Sequence, residues 1–261
     1  MNRRGNMLRN TVLLVTGLLL MNTIEASAQL TVSNAPNADA FVRANGPTHN
    51  YGGAGALEVA GASSTNIING AATGALDSFI RFDVSSLVAS FNTTFGAGNW
   101  AVTGATLQVT EVGNPNNAVF GSGLGGFEIR WIADDSWVEG TGTPASPGAS
   151  GIVYNDEADL LAGGQASLGT YSNSFASGVR RFALSLPGSF LTDISNAGSV
   201  SFFLTATTDK IGFNFNSRSF GTVSARPSLE LTAMAIPEPS TICLLTLSVA
   251  VLVAARRRRS R

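Results

Sequence analysis

The chain has 261 residues, a formal net charge of −1 and one cysteine. Half of its sixteen basic residues lie in the two terminal segments, so the body between them carries eight basic and fifteen acidic residues, a net charge of −7. An acidic body argues against nucleic acid as a partner, because phosphates are bound by basic surfaces. The single cysteine, Cys243, lies in the C-terminal segment, which excludes a disulfide within the body.

The first 28 residues have the pattern of a secretory signal peptide. Three arginines precede the apolar stretch 11–21, and Ala26 and Ala28 form an A-x-A cleavage site. The apolar stretch is too short for a transmembrane helix and is followed by a cleavable motif. We therefore predict export across the inner membrane, removal of residues 1–28, and a mature chain that begins at Gln29.

The body, residues 29–235, repeatedly alternates apolar and polar side chains. This period of two places one face of a strand on a core and the other face near water. The clearest alternations lie at 79–84, 106–110, 200–205, 211–216 and 228–232. Weaker strand candidates lie at 39–44, 56–60, 127–132 and 181–186. About nine short strands joined by turn-forming residues predict an all-β fold, an antiparallel β-sandwich of jelly-roll-like form.

One short stretch of the body has a helical pattern. Asn155 is a residue type that caps helices, and acidic residues follow it directly. Gly163 ends the stretch two residues after Leu161. We predict a short helix between these two signals.

Seven short motifs follow one another along the body. They are ADAFVR at 38–43, NYG at 50–52, LEV at 57–59, SFIRFDVSSL at 78–87, VTGATL at 102–107, DDSWVEG at 134–140 and RPSLEL at 226–231. This ordered series resembles the DNRLRE family, which is close to bacterial carbohydrate-binding modules of jelly-roll form. The resemblance covers nearly the whole body and implies a β-sandwich that binds polysaccharide.

Sandwiches of this kind often carry a structural calcium ion, and the acidic residues of the body suit one. Ca²⁺ takes several oxygen ligands, which carboxylates on sandwich loops supply. Asp39 and Asp135 are the strongest candidates for its ligands. The alternative is that these carboxylates cap turns by accepting hydrogen bonds from nearby amides.

The aromatic residues offer one candidate for sugar stacking. Tyr51 lies in a Gly-rich loop beside His49 and is expected to be exposed, so its ring could stack on a pyranose face. Trp131 follows Ile129 by two residues and is expected to point into the core. Trp137 is expected to be structural as well.

We expect no enzymatic activity. His49 is the only histidine, and the sequence fixes no partners for it in a catalytic triad or a zinc site. The motif G-x-G-x-x-G occurs at 121–126 but precedes a predicted strand, whereas dinucleotide binding requires a helix there. The alternative is a polysaccharide hydrolase or lyase that uses two neighbouring carboxylates, whose separation a sequence does not define.

The C-terminal segment, residues 236–261, combines three features in order. Pro237, Glu238 and Pro239 precede the uncharged stretch 240–255, and four consecutive arginines follow. As a helix this stretch would span about 24 Å, slightly less than a bilayer core, and the arginines would stay on the cytoplasmic side. The segment resembles the PEP-CTERM sorting signal, which implies recognition by an exosortase in the inner membrane. The alternative is a plain C-terminal anchor that is never processed.

Together these features predict an exported bacterial surface or extracellular-matrix protein, tethered at least transiently by its C-terminus. Its sandwich is expected to bind polysaccharide, as the resemblance implies. The alternative is a purely structural or adhesive protein without a specific sugar site. An exposed row of aromatic rings favours the first hypothesis, and a flat surface of Ser, Thr and Asn favours the second.

Overall fold

The computed structural model describes residues 28–65, 72–112, 125–172 and 177–236. Within these residues the chain forms eleven strands and three short helices. The strands are β1 Gln29–Asn34, β2 Ala38–Arg43, β3 Ala56–Ala60, β4 Leu76–Asp83, β5 Trp100–Glu111, β6 Gly126–Ile132, β7 Gln165–Ser172, β8 Gly178–Leu184, β9 Ser199–Ala206, β10 Gly212–Asn216 and β11 Ser228–Ala235. The helices are α1 Ser85–Phe95, α2 Glu157–Ala162 and α3 Gly188–Ser195. Short 3₁₀ turns lie at Tyr154–Asp156 and Val223–Ala225.

Antiparallel pairing joins the strands into two layers. The first layer has the order β1-β11-β5-β8, and the second has the order β2-β4-β9-β6-β7. The pair β3–β10 connects the layers through single-residue pairings, Phe215 with Glu111 and Ala60 with Leu76. The fold is therefore mostly antiparallel β-structure, consistent with the predicted β-sandwich.

The main core lies between the two layers. Alternate residues of the central strands point inward and are almost fully buried, which follows from the two-residue period of a strand. From the first layer these include Leu107, Val109, Leu229 and Leu231, and from the second Ile80, Phe82, Phe202 and Leu204. Helix α1 adds Leu87, Val88 and Phe91 to this core.

The predicted strands are confirmed, most of them with small changes in their ends. The exceptions are 106–110, which is part of the longer strand Trp100–Glu111, 181–186, which is observed as Gly178–Leu184, and 228–232, which extends to Ala235. Strands β1 and β7 were not predicted. Strand β7 contains few apolar residues. Its exposed residues, such as Thr170 and Ser172, alternate with residues that are mostly only partly buried, so its sequence shows little alternation between apolar and polar side chains. Helices α1 and α3 were also missed, since their first turns contain no acidic residue and their last turns no basic one.

The short helix predicted near residue 155 exists, but its cap is different. It begins as a 3₁₀ turn, continues as α2, and has Gly163 at its C-cap. The prediction that Asn155 caps it is wrong. The carboxylate of Asp156 accepts the hydrogen bond from the Val153 amide, at 3.0 Å, because the preceding 3₁₀ turn moves the start of the helix along the chain.

Most of both terminal segments lies outside the described residues. This applies to Ala26, to the triplet Pro237, Glu238 and Pro239, and to the predicted membrane segment 240–255. Ala28 is described, and its carbonyl oxygen accepts from the Ala235 amide at 3.0 Å. In the part of the chain that is described, no helix is long and apolar enough to cross a membrane.

Candidate functional site: a segment that covers the second layer

The long connection between β6 and β7 lies over the outer face of the second layer. We call residues 133–163 the cover segment. It buries Trp137, Ile152 and Leu160 against outward-facing residues of the strands, which are Ala38, Ala40, Val42, Phe79 and Phe203. The ring of Phe79 contacts the rings of Trp137 and Phe203, at centroid distances of 5.9 and 5.0 Å. The outer face of this layer is therefore a second, smaller apolar core.

One buried side chain, that of Asn50, holds the middle of the cover segment. Its NH₂ group donates to the carbonyl oxygens of Glu139 and Ile152, at 2.7 and 2.9 Å. Its side-chain oxygen accepts from the amides of Gly52 and Gly142, both at 3.1 Å. Asn50 is fully buried, and these four bonds are the full capacity of an amide side chain.

Two glycines allow the cover segment to approach Asn50 closely. Gly140 has a φ of +76°, and a Cβ there would overlap the side-chain oxygen of Asn50. A Cβ on Gly142 would overlap the carbonyl oxygen of Asn50. Asn50 also exchanges two backbone hydrogen bonds with Gly148, at 2.9 and 3.0 Å. Only glycine therefore leaves enough space for Asn50 at both positions. At Gly140 the positive φ also favours glycine.

Arg81 of β4 fixes the start of the cover segment. Its guanidinium group donates to the carbonyl oxygens of Asp135 and Trp137, at 2.6 and 2.7 Å, and lies 5.0 Å from the Trp137 ring centroid. The indole of Trp137 donates to the Ser201 hydroxyl, which donates to the Asp135 carboxylate at 2.5 Å. Burial raises the pKa of Asp135 to about 6, although the hydrogen bond from Ser201 opposes the rise.

Asp39 of β2 is fully buried at the border of the cover segment. One carboxylate oxygen accepts from the Arg218 amide at 2.6 Å, and the other has no hydrogen-bond partner among the described residues. Glu139 accepts from the Asp39 amide at 3.4 Å and lies 3.2 Å from the Arg218 guanidinium group. Burial raises the pKa of Asp39 to about 7, despite the hydrogen bond from Arg218. These contacts join three parts of the chain that are distant in sequence.

Asp77 of β4 and Glu157, the first residue of α2, form a carboxyl pair under the end of the cover segment. Their side chains are hydrogen-bonded to each other, and Asp77 is only 4 % exposed. Burial raises the pKa of both groups, that of Asp77 to about 6 and that of Glu157 to about 8. The charge of Asp77 adds to the rise at Glu157. The pair therefore retains a proton at neutral pH, with Glu157 as the donor.

Tyr51 is not the exposed ring that the sequence predicts, and that expectation is wrong. It is 3 % exposed, and its ring stacks on that of Phe41 with a centroid distance of 4.7 Å and an interplanar angle of 6°. The Arg43 guanidinium group lies 5.6 Å from the same ring. Apolar contact with Phe41 draws Tyr51 inward, where it is not available to a sugar. Trp131 and Trp137 are buried, as predicted.

Asp39 and Asp135, predicted as calcium ligands, lie in separate hydrogen-bond networks. The Asp39 network contains the Arg218 guanidinium group through Glu139, and this positive charge disfavours a second cation. No group of three His, Cys, Asp or Glu side chains in the described ranges is arranged to hold a metal ion. The described residues therefore do not fit a calcium site shared by this pair, and calcium binding stays a prediction.

The cover segment also borders a cavity of about 290 Å³. Its lining is mostly apolar, with one carboxylate, and consists of Trp137, Val138, Gly151, Ile152, Asp156 and Leu160. Val138 is 66 % exposed at its rim. The hydrogen-bonded carboxyl pair of Asp77 and Glu157 does not line this cavity. The close pair needed for carboxylate catalysis therefore does not open into this cavity, although Asp156 and Leu160 of the lining are close to Glu157 in the chain.

Asn50, Arg81 and Glu157 organise this region, although the sequence alone does not single them out as site residues. The partners of the Asn50 side-chain amide lie 89 and 102 residues away, so no local pattern links them. The one available signal is the set of glycines on both sides of the contact, Gly52 with Gly140 and Gly142. Glycines at such positions indicate close backbone approach.

We expect Asn50→Ala to loosen the cover segment and lower the stability of the protein. The substitution leaves two carbonyl oxygens and two amides of the interior without their partner, at a cost of about 2–4 kcal/mol. Limited proteolysis should then cut between residues 139 and 152, where the wild type resists cleavage. Asn155→Ala, an exposed asparagine in the same segment, is the control. Equal resistance of the Asn50 and Asn155 variants to proteolysis would contradict the proposed role of Asn50 in holding the cover segment.

We also expect the protein to be more stable at pH 5 than at pH 8. Folded Asp39 and Glu58 have pKa values raised by burial to about 7, above their unfolded values, so the folded state binds more protons in this range. Each group then contributes on the order of 3 kcal/mol that is lost as the pH rises toward 7. The melting temperature should fall by roughly 12–24 °C between pH 5 and pH 8.

The variant Glu58→Gln tests this pH dependence at one residue. Glutamine imitates the protonated acid, so this variant should melt above the wild type at pH 8 and close to it at pH 5. Glu230→Gln changes a partly exposed strand residue that is paired with Arg181, and serves as the control. A melting temperature of the wild type that rises from pH 5 to pH 8 would contradict the prediction.

Comparison with known proteins identifies the end of the chain. Residues 235–259 match the model of the PEP-CTERM protein-sorting motif. A search of the curated proteins finds no match to the chain. The predicted resemblance to the PEP-CTERM signal is therefore confirmed, whereas the resemblance of the body to the DNRLRE family gains no support. The motif implies export, sorting at the membrane and an exosortase as the processing partner, which are the features of an exosortase-sorted surface protein.

Proposed function

We propose that the protein is a non-enzymatic structural or adhesive component of the cell surface or the extracellular matrix. The observation that carries this proposal is the outer face of the first layer, β1-β11-β5-β8. Hydroxyl and amide side chains dominate this face, and they are Gln29, Thr31, Ser33, Thr103, Thr106, Gln108, Thr110, Ser228 and Thr232. They alternate with core residues, so the pleat of the strands brings them to one side.

This polar face is nearly neutral and internally bonded. The hydroxyl groups of Thr31 and Thr232 hydrogen-bond across β1 and β11 at 2.9 Å. Arg181 donates to Gln108 at 2.9 Å and pairs with Glu230 at 2.7 Å, so the two charges compensate each other. Such a surface offers many weak hydrogen bonds. It suits contact with a hydrated matrix or with another polar surface.

Polysaccharide recognition through aromatic stacking has less support. Tyr51 is buried against Phe41, and Trp131 and Trp137 are core residues. No Phe, Tyr or Trp side chain of the described ranges belongs to the exposed class. Within these ranges a sugar site would therefore depend mainly on polar contacts. This favours the structural hypothesis over the carbohydrate-binding one.

A catalytic role also has less support. The hydrogen-bonded carboxyls of Asp77 and Glu157 have raised pKa values, as an acid–base pair would. However, Asp77 is 4 % exposed, and neither carboxyl lines the neighbouring cavity. The pair is better placed to hold the cover segment on the sheet than to meet a polymer. We therefore propose that the protein is not an enzyme.

A glycan-binding panel tests the proposed function. The exported protein should bind no glycan of the panel saturably, in calcium or in EDTA. Cells that lack the protein should produce the same amount of extracellular polysaccharide but cohere less well. Saturable binding to one glycan would contradict the proposal and support the carbohydrate-binding hypothesis.

Sorting should depend on the residues Pro237, Glu238 and Pro239. Replacing all three with alanine should leave the protein in the inner membrane with its tail uncleaved, since proline supplies the extended backbone that the exosortase would bind. Membrane fractionation and the mass of the tail measure this. Ser240→Ala with Thr241→Ala is the control beside the motif. Unchanged release of the triple variant would show that the tail is a plain anchor.

A further inference from the structure

Strand β1 forms an open edge of the first layer. Among the described residues it pairs with β11 and with no other strand. Its sequence, QLTVSN, contains no charge, proline or glycine, and its side chains alternate between exposed and partly buried. Leu30 and Val32 pack on the core, which fixes the register of the strand. An uncharged edge strand of six residues is a ready template for pairing with another strand.

The other three edge strands carry features that oppose such pairing. Strand β8 carries Arg180 and Arg181. Strand β7 is interrupted by a register shift at Gly169, whose φ is +148°. At β2 the amide of Asp39 donates to the Glu139 carboxylate instead of remaining available. Charges, bulges and covering groups are the usual means of protecting an edge. Strand β1 has no charged residue and no register shift, and helix α1 contacts it.

The position of β1 relative to the sorting tail gives this edge an orientation. Gln29 is opposite Met234 in the antiparallel pair β1–β11. The sorting motif begins at residue 235, so β11 leads directly into the tail. Strand β1 therefore starts at the tethered end of the body and runs away from it.

We propose that β1 pairs antiparallel with β1 of a second copy of this chain, joining the two first layers into one continuous sheet. Identical strands satisfy each other in this way about a twofold axis, as in other isologous contacts. The side chain of Thr31 in one copy then meets Thr31 of the other across the twofold axis, and Gln29 meets Ser33, so uncharged polar side chains face each other.

The antiparallel arrangement has a consequence for adhesion. The two strands run in opposite directions, so the two sorting tails leave the joined sheet at opposite ends. The contact therefore suits copies displayed on facing surfaces better than neighbours on one surface. One such contact is small, and many copies between two surfaces provide the avidity. This inference rests on the proposed adhesive function and names its partner as the protein itself.

Cysteine cross-linking on cells tests the proposal. The full chain carries Cys243→Ser with Thr31→Cys, and two cell populations display it with different epitope tags. After mixing and mild oxidation, we expect disulfide-linked dimers that contain both tags. Thr192→Cys, an exposed threonine on α3, is the control and should give at least tenfold fewer dimers. Dimers that contain only one tag, or equal yields from the two variants, would overturn the proposal.

Two further measurements separate the failure of this inference from failure of the proposed function. A membrane-impermeant maleimide reports whether Thr31→Cys is displayed at the surface, and absence of labelling would contradict surface display itself. Labelled protein that does not cross-link would contradict only the β1 contact. Thr31→Lys should abolish the clumping of wild-type cells, since like charges then meet across the twofold axis, whereas Thr192→Lys should not. Clumping that survives Thr31→Lys would overturn the proposal.

Discussion

Burial of acidic side chains between a sheet and the segment that covers it is the constraint on which this structure depends. Asp39 and Asp77 are almost fully buried and Asp135 is half-buried, and burial is the leading cause of the raised pKa of each. Charge is costly in such a place, so the segment is closed most firmly when these groups hold protons. Arg81 and Arg218 compensate part of the remaining charge. The body contains no cysteine, and this polar network supplies the long-range connections that a disulfide would otherwise make.

The main β-structure could be predicted because each strand alternates apolar and polar side chains over a few neighbouring residues. Alternation around Phe82, Leu107 and Leu231 places the core, since each strand shows its buried face within a few residues. The cover segment could not be predicted in the same way. Asn50 joins parts of the chain about a hundred residues apart, and its role depends on geometry that no local pattern encodes. The same limit explains why the predicted exposure of Tyr51 is wrong. Its neighbours in sequence are polar or glycine, and they give no sign that its ring stacks on Phe41.

The tail and the body have separate roles in surface display. The sorting motif at residues 235–259 implies delivery of the protein to the membrane. The two ends of the body lie close together, because β1 pairs with β11. This leaves the far end of the sandwich away from the tether, and the hydroxyl-rich face extends from the tethered end toward it. The cover segment occupies the opposite layer, so stabilising contacts and the proposed contact surfaces lie on different sides of the molecule. Substitutions on the hydroxyl-rich face can therefore occur without disturbing the contacts that hold the cover segment.

Carbon-13 NMR of the side-chain carboxyl groups during a pH titration tests the central claim most directly, because it reads the protonation of each acid in the folded protein. The account predicts that Asp39 and Glu58 titrate near pH 7, and that the signals of Asp77 and Glu157 shift together as a pair that shares a proton. Exposed Asp83 serves as the internal reference and should titrate below its usual range, because Ser85 donates hydrogen bonds to it. Titration of Asp39 and Glu58 near pH 4 would contradict the account, since it would mean that their burial does not oppose charge.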